Sequence, residues 1–427
     1  MSRSPQTDYE APRTGESVWG LLDQGLVSGV NFFTIVLLAR SLAPEPFGYF
    51  VLAFTVLQSA GTLQSALVTR PHNVLGAVRR GRDYADFSAA TAAAQTAFSG
   101  LLTVAALIAA LAVALAGSPR AGLVAATAPA LLAWQLQELG RRMLYTENRL
   151  RAACANDALA YGGQTAALVV LWRLDLLTGT RALLTLAAAF AVAAALLAWQ
   201  LRGTLAGSVR RVDLAAAWGF GKWLGVAEVA QWLSTQLYVY LAAAVVGPVA
   251  SGAIKAGQTL LGPMSVFLTF VTSYLPIVLT RELEATGSIA GKLRESMTRV
   301  LPLVVCYCAA MALIASPALR AVYGPAYRPY ADVVQLFALY YVLLAFSTVA
   351  VAALSALRAT RAVFVGQAAG AVVSLAVGWL LLDAWGPAGG VAGMLVSWAA
   401  AMALFLHGLR HALRLPALRP RPRADQA

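Results

Sequence analysis

A chain of 427 residues that is 59% hydrophobic and only 12% charged lacks the polar surface to cover a soluble globule, where charged residues run near 25%. Its formal net charge of +13 is then a topological signal before it is a nucleic-acid signal, because Lys and Arg hold loops on the cytoplasmic side of a bilayer. No nucleic acid is expected as a partner. Three cysteines, Cys154, Cys306 and Cys308, and three histidines form neither a disulfide framework nor a metal-ligand cluster, so no metal and no cofactor is expected.

The first residues, 1–16, are polar, carry Pro5 and Pro12, and lack the basic-then-apolar pattern of a secretory signal. They are expected to form a cytoplasmic tail. Twelve apolar stretches follow, near 17–39, 48–69, 88–116, 122–142, 157–173, 182–201, 217–246, 251–279, 299–316, 333–356, 362–382 and 389–409. Charges, prolines and glycines bound them, and a crossing needs about 20 apolar residues. The expected fold is an all-α integral membrane protein of about twelve transmembrane helices. Residues 411–427 form a basic tail with Arg419-Pro420-Arg421-Pro422-Arg423, suited to lying near anionic lipid.

Lys and Arg alternate unequally between the links. Of the 32, only Arg40, Arg120, Arg173, Arg181, Lys255, Arg320 and Arg328 fall on one side of the proposed membrane, and all the others fall on the opposite side with both tails. By the positive-inside rule both termini are cytoplasmic, and the expected location is the bacterial cytoplasmic (inner) membrane.

Six stretches precede residue 210 and six follow it. Pro44 and Gly48, between the first two, recur with the same spacing as Pro248 and Gly252, between the seventh and eighth. Each half has an even number of crossings, so the halves share one orientation, as in a parallel repeat about an axis along the membrane normal. The expected organisation is a tail at 1–16, an N-terminal six-helix lobe at 17–209, a C-terminal six-helix lobe at 210–410 and a tail at 411–427. The pseudo-two-fold arrangement would leave a central cleft between the lobes, where a transported substrate sits.

Polar residues inside the stretches are costly in lipid and face a cavity or another helix. Gln24, Ser28 and Asn31 lie on one face of the first stretch, and Gln58, Thr62, Ser65 and Thr69 on one face of the second. Glu228, Gln231, Thr235 and Tyr238 do so in the seventh, and Lys255, Gln258, Ser265 and Thr269 in the eighth. These are the equivalent pairs of the two halves. Gln24, Asn31, Gln58, Gln231, Tyr238 and Gln258 are the candidates for lining a polar cavity; helix–helix hydrogen bonding uses the same residue types.

Among charged residues, Glu228 lies well inside the seventh stretch and is a candidate for carrying a proton or binding a cation. Asp23 is a second ion-coupling candidate, although Asp23, Glu138 and Asp157 lie nearer the cytoplasmic ends and also suit the interface. Arg70, Lys222, Lys255 and Arg281 are candidates for holding an anionic, phosphate-bearing substrate; Lys222 and Lys255 also suit snorkelling to the surface. There is no phosphate-binding P-loop and no catalytic triad spacing, so an enzyme is not expected.

The run Leu37-Leu38-Ala39-Arg40-Ser41-Leu42-Ala43-Pro44-Glu45-Pro46-Phe47-Gly48-Tyr49-Phe50 resembles the first turn of polysaccharide and O-antigen flippases of the multidrug/oligosaccharidyl-lipid/polysaccharide exporter superfamily. Gln137-Glu138-Leu139-Gly140-Arg141-Arg142-Met143-Leu144-Tyr145 is similar to that family's fourth-span exit, and Tyr323-Gly324-Pro325-Ala326-Tyr327 to its turn before the tenth. In order, these cover most of the chain, from about 17 to 410. The resemblance implies two rocking lobes, a polyprenyl-diphosphate-linked oligosaccharide as substrate turned between leaflets, cationic residues on the diphosphate and an ion gradient as driving force. It implies a role in surface or exopolysaccharide biosynthesis, with bilayer lipids and a glycan polymerase or export machinery as partners.

Two further readings stand beside it. One is a cation-coupled exporter of small amphipathic compounds, since drug exporters share the architecture. The other is a membrane glycan polymerase or glycosyltransferase, which needs acidic, Arg or His groups on outer loops; the outer links here are short.

Overall fold

A computed structural model of the chain describes residues 14–357 and 359–414. The expected tails at 1–16 and 411–427 lie almost wholly outside them. The described residues form helices α1 (Thr14–Ser41), α2 (Pro44–Gln64), α3 (Arg70–Gly76), α4 (Gly81–Leu115), α5 (Ala121–Thr146), α6 (Leu150–Arg173), α7 (Gly179–Gln200), α8 (Arg211–Thr235), α9 (Leu237–Val245), α10 (Pro248–Leu260), α11 (Gly262–Thr286), α12 (Ala290–Leu313), α13 (Ala315–Tyr323), α14 (Ala331–Ala356) and α15 (Thr360–Arg414). No strand occurs among the described residues.

Among the described residues, eight helical stretches are long and apolar enough to cross a membrane by length and composition. The last, Arg361–Leu413, counts once but makes two passes. Gly386, at φ 57° and ψ −137°, breaks it just before Pro387. Beyond the break the chain folds back: Gly366 lies against Phe405, and Gly370 against the Ser397 carbonyl. The helices that fail the test are informative. α5 holds Gln135, Gln137, Glu138 and Arg141, and α6 holds Asn156, Asp157 and Gln164, so polar content rather than length removes them. With α8–α9 as one interrupted pass, the helices make the expected twelve.

Local chemistry sets the ends and breaks. Pro44 and Pro248 begin α2 and α10, positions where a missing N–H costs nothing. Thr178 caps α7, its Oγ1 accepting from the Arg181 N–H at 3.2 Å, and Gly287 closes α11 in the left-handed region at φ 73°. Before Pro71 the second pass widens to a π turn, Ser65–Thr69, which accommodates a proline ring that an unbroken α-helix would clash with. This pass therefore continues to Gly76 instead of ending near 69. The stretch expected at 157–173 starts earlier, at Leu150, because Asn156 and Asp157 are partnered inside the protein. The seventh pass breaks at Gln236, and the eighth at Leu261 ahead of Gly262-Pro263.

The described residues partition into two compact units: those up to Thr34 with Val56–Val226, and Ile35–Thr55 with those from Ala227 onward. In the first, α5 packs along α4 and α7. Val68, Leu139, Met143, Leu144, Ala153, Leu197 and Leu201 form a buried cluster there. Lipid tails are as apolar as leucine, so this packing rests on close contact, and the alanines of α7 permit it. In the second unit α14 is the axis. It packs against α10, α11, α12 and α15, and most of its buried residues are apolar. Here too the repeated turns meet. A Cβ on Gly48 would lie 2.0 Å from the Pro248 carbonyl oxygen, and one on Gly252 would lie 3.0 Å from the Phe47 ring. Both glycines of the repeated motif are thus close-approach points.

Candidate functional site

The most highly charged interior among the described residues lies in the first unit, where α1, α5 and α6 contribute one side chain after another to a single cluster. Asp157 is fully buried at 0% exposure and Asp23 at 1%. Arg141, four-fifths of the way along α5, sits between them. Its Nη1 lies 3.1 Å from Asp157 Oδ2 and 3.4 Å from Asp23 Oδ2. Its Nη2 donates to Glu138 Oε2 at 2.6 Å, one helical turn back. Glu138 is held in turn by Arg142 at 2.7 Å. Gln137 Nε2 donates to Asp157 Oδ1 at 2.6 Å and to Asn156 Oδ1 at 3.1 Å, and Asn156 donates to the Ala193 carbonyl on α7. The Tyr145 hydroxyl donates to Asp23 Oδ2. Asp23 Oδ1 has no hydrogen-bond partner.

The charge of this cluster does not close. Asp23, Asp157 and Glu138 against Arg141 and Arg142 leave one negative charge in excess, and the buried trio Asp23–Arg141–Asp157 alone leaves the same. An unbalanced charge is expensive in a low-dielectric interior. One proton or one monovalent cation would neutralise it, and the unpartnered Asp23 Oδ1 is an available acceptor. Among the described residues, no group of three or more His, Cys, Asp or Glu has the arrangement of a metal site.

A second network lies at the same end of the unit, in the link between α7 and α8. Arg79 Nη1 and Arg210 Nε reach the two oxygens of Asp213, at 2.5 and 2.7 Å. Arg210 also reaches Asp83 at 2.7 Å, and the Ser208 N–H donates to Asp86. Burial raises the Asp213 carboxyl, but hydrogen bonds from Arg210 and Arg79 outweigh it and hold the group below its ordinary value. The same bonds, Asp213's first and Asp83's next, raise Arg210.

The residues expected from sequence fall as follows. Asp23 is in the ionic cluster. Gln24 is exposed, with Nε2 3.5 Å from Ser28 Oγ, while Asn31, Gln58 and Gln258 are half-buried. The side chain of Gln231 lies outside what is described. Tyr238 is fully buried in the second unit, donating to the Ser374 carbonyl at 3.2 Å. Glu228 is half-buried on α8. Of the four phosphate candidates, Arg70 and Lys222 are exposed in the first unit and Arg281 is exposed in the second. Lys255 is half-buried in the second unit, its Nζ 5.7 Å from the Phe54 ring centroid. Sequence reasoning missed Arg141 as the hub and read Glu138 and Asp157 as interface residues. The available signal was Glu138 three residues before Arg141, a spacing that pairs on one helix face.

No protein-family model matches the sequence, and neither does any curated protein sequence. Its fold matches solved structures. One is the lipid II flippase MurJ in an inward closed conformation, at 12% identity and TM-score 0.69, over 93% of this chain and 88% of that one. Another is a multidrug resistance MATE family transporter of the MOP superfamily, inward-facing, at 15% identity and TM-score 0.72, over 93% of this chain and 98% of that one. A third, a MOP superfamily transporter from Pyrococcus furiosus Vc1 described as having a binding pocket of reverse polarity, matches at 13% identity and TM-score 0.63, over 93% of this chain and 94% of that one. At these identities the likeness is one of fold.

Proposed function

We propose that the chain is an ion-coupled flippase of the bacterial inner membrane that turns a polyprenyl-diphosphate-linked oligosaccharide from the cytoplasmic to the outer leaflet by alternating access. The observation that carries the ion coupling is the uncompensated negative charge at Asp23–Arg141–Asp157. Protonating one carboxylate removes one of two anions competing for Arg141. Where Asp23 takes the proton, the guanidinium re-pairs with Asp157 and the tie between α1 and α5–α6 loosens. A change of one bond thereby becomes a change of helix position. The lipid-linked substrate is supported by the shared fold with a lipid II flippase and by the resemblance of the 37–50 turn to polysaccharide flippases. Sugar and diphosphate would travel along a sheltered polar route while the prenyl tail stays in lipid, so charge never crosses bare hydrocarbon. Arg70, Lys222, Lys255 and Arg281 remain the candidates for the diphosphate, and a glycan polymerase the candidate partner. Both termini are assigned to the cytoplasm on the charge bias.

The second reading, a cation-coupled exporter of small amphipathic compounds, is favoured by the same cluster and by the fold match to MATE transporters. Proteoliposomes separate the two. A labelled lipid-linked oligosaccharide flipped under a pH gradient, with no efflux of amphipathic dyes, supports the flippase; the reverse supports the exporter. In either assay Asp157→Asn should reduce gradient-driven flux by more than about tenfold while leaving the protein folded. Unchanged flux would remove the cluster from coupling, and a matching loss in Glu228→Gln instead would move the coupling site to α8.

A further inference from the structure

The set of basic residues on the sparsely charged side holds a concentration of its own. α13 is amphipathic: Ala315, Leu319 and Tyr323 are buried at four-residue spacing. Ser316 and Arg320, also four apart, share another face. Gly324, at φ 98°, then turns the chain into the short 3-10 segment Pro325–Tyr330. Tyr327 pins that segment, being buried and packed edge-on against Phe47 with ring centroids 5.9 Å apart. Arg328 follows it directly and is exposed. Between the two elements lies a cavity of about 360 Å³ lined by Ser316, Pro317, Arg320, Ala321 and Arg328. Arg40, at the end of α1, donates to the carbonyl of Ala321 and braces its wall.

Three basic residues therefore gather where the charge rule disfavours them. The opposite ends behave differently: there Arg79, Arg141, Arg210, Lys292 and Arg299 each have a carboxylate partner. Among the described residues neither Arg320 nor Arg328 has an ion pair. Two guanidinium forks and a hydroxyl around a small cavity, with no acid among its lining, match the oxygens of a phosphate group. Small-molecule sites run from about 300 to 1,000 Å³, so this one suits a phosphate headgroup.

We propose that this pocket is a phosphate-binding site at the outer face of the membrane, holding the phosphate or diphosphate of a lipid headgroup between Arg320 and Arg328 with Ser316 donating. The outer placement rests on the orientation assigned above; the binding chemistry does not rest on transport.

The test is equilibrium binding to the full chain in neutral detergent, read by native mass spectrometry. Phosphatidylglycerol and undecaprenyl phosphate are titrated against phosphatidylcholine, with inorganic pyrophosphate as the soluble probe. Wild type should prefer the two anionic lipids over phosphatidylcholine. Arg320→Gln with Arg328→Gln should weaken them about tenfold or more, and the paired Lys substitutions should recover part of the loss, because charge returns without the fork. Both residues are exposed, and an unchanged unfolding temperature verifies the fold. Equal anionic-lipid adducts in wild type and double Gln variant would overturn the site. Binding of pyrophosphate alone, lost in the same variant, would keep the phosphate site and overturn the lipid source. In intact cells, in a background with the three native cysteines removed, an impermeant maleimide should label R320C; labelling only after permeabilisation would overturn the outer placement.

Discussion

In the first unit the interior holds Asp23, Asp157 and Arg141 together with Gln64, Gln95, Gln135, Gln137, Asn156 and Gln164. In the second, every buried polar side chain among the described residues is a hydroxyl: Thr55, Ser251, Ser347, Thr348, Ser374 and Ser397. Its volume is filled by Tyr238, Tyr323, Tyr327, Phe337 and Phe405. Helix order and turn motifs recur in the two halves of the chain, but the interiors do not. A hydroxyl satisfies itself on its own helix, as Ser347 does on the Leu343 carbonyl and Ser397 on that of Gly393, and it adds no charge. Carboxylates and guanidinium ions must find one another across helices. On the ion-coupled reading proposed above, the first unit would respond to an ion and the second would hold its shape.

Substitutions can break this contrast, and the largest effect is expected at its centre. Arg141→Met leaves two buried carboxylates without their cation and should destabilise the protein by about 3–5 kcal/mol, read as a fall in the detergent unfolding midpoint. A shift below 1 kcal/mol would mean that the cluster is wet and exchangeable. Tyr238→Phe, the matching change in the second unit, removes one neutral hydrogen bond and should cost only about 1 kcal/mol with flux unchanged; a large loss of flux would give the second unit a polar role.

The smallest expected effect is a pH dependence at the α7–α8 link. Asp213 is held below its ordinary value, so its ion pairs contribute fully above the ordinary carboxylate range, near pH 4. That contribution falls away as the pH drops through the lower folded value. Asp213→Asn should flatten the acid side of the stability profile by lowering stability at neutral pH toward its acid-side level, a small change because water and salt screen Arg210. An unaltered acid limb in the variant would exclude this link from acid sensitivity.

Much of the architecture was legible in the sequence because membranes simplify the problem. Apolar length and the alternation of Arg and Lys counted the passes, and Pro44–Gly48 with Pro248–Gly252 marked corresponding turns that prove to be close contacts. Gly262-Pro263 announced the break in the eighth pass. The break at Gln236 was not legible, since neither proline nor glycine accompanies it.

The ionic cluster was legible only in pieces. Asp23, Glu138 and Asp157 each lie near a helix end, where charge ordinarily faces headgroups. Only packing of α1, α5 and α6 brings them onto Arg141. Tyr238 falls in register with Glu228 and Thr235 in the sequence, and beyond the break at Gln236 it is fully buried.

The odd charge at Asp23–Arg141–Asp157 also has an electrical meaning. On the ion-coupled reading, the site loaded with a proton would be neutral and would cross the field freely. Empty, it would carry one negative charge, on which a membrane potential acts with about 2.3 kcal/mol per 100 mV for a full crossing. In a cell that is negative inside, the voltage would push the empty site outward, so the return stroke rather than the loaded one would quicken with potential.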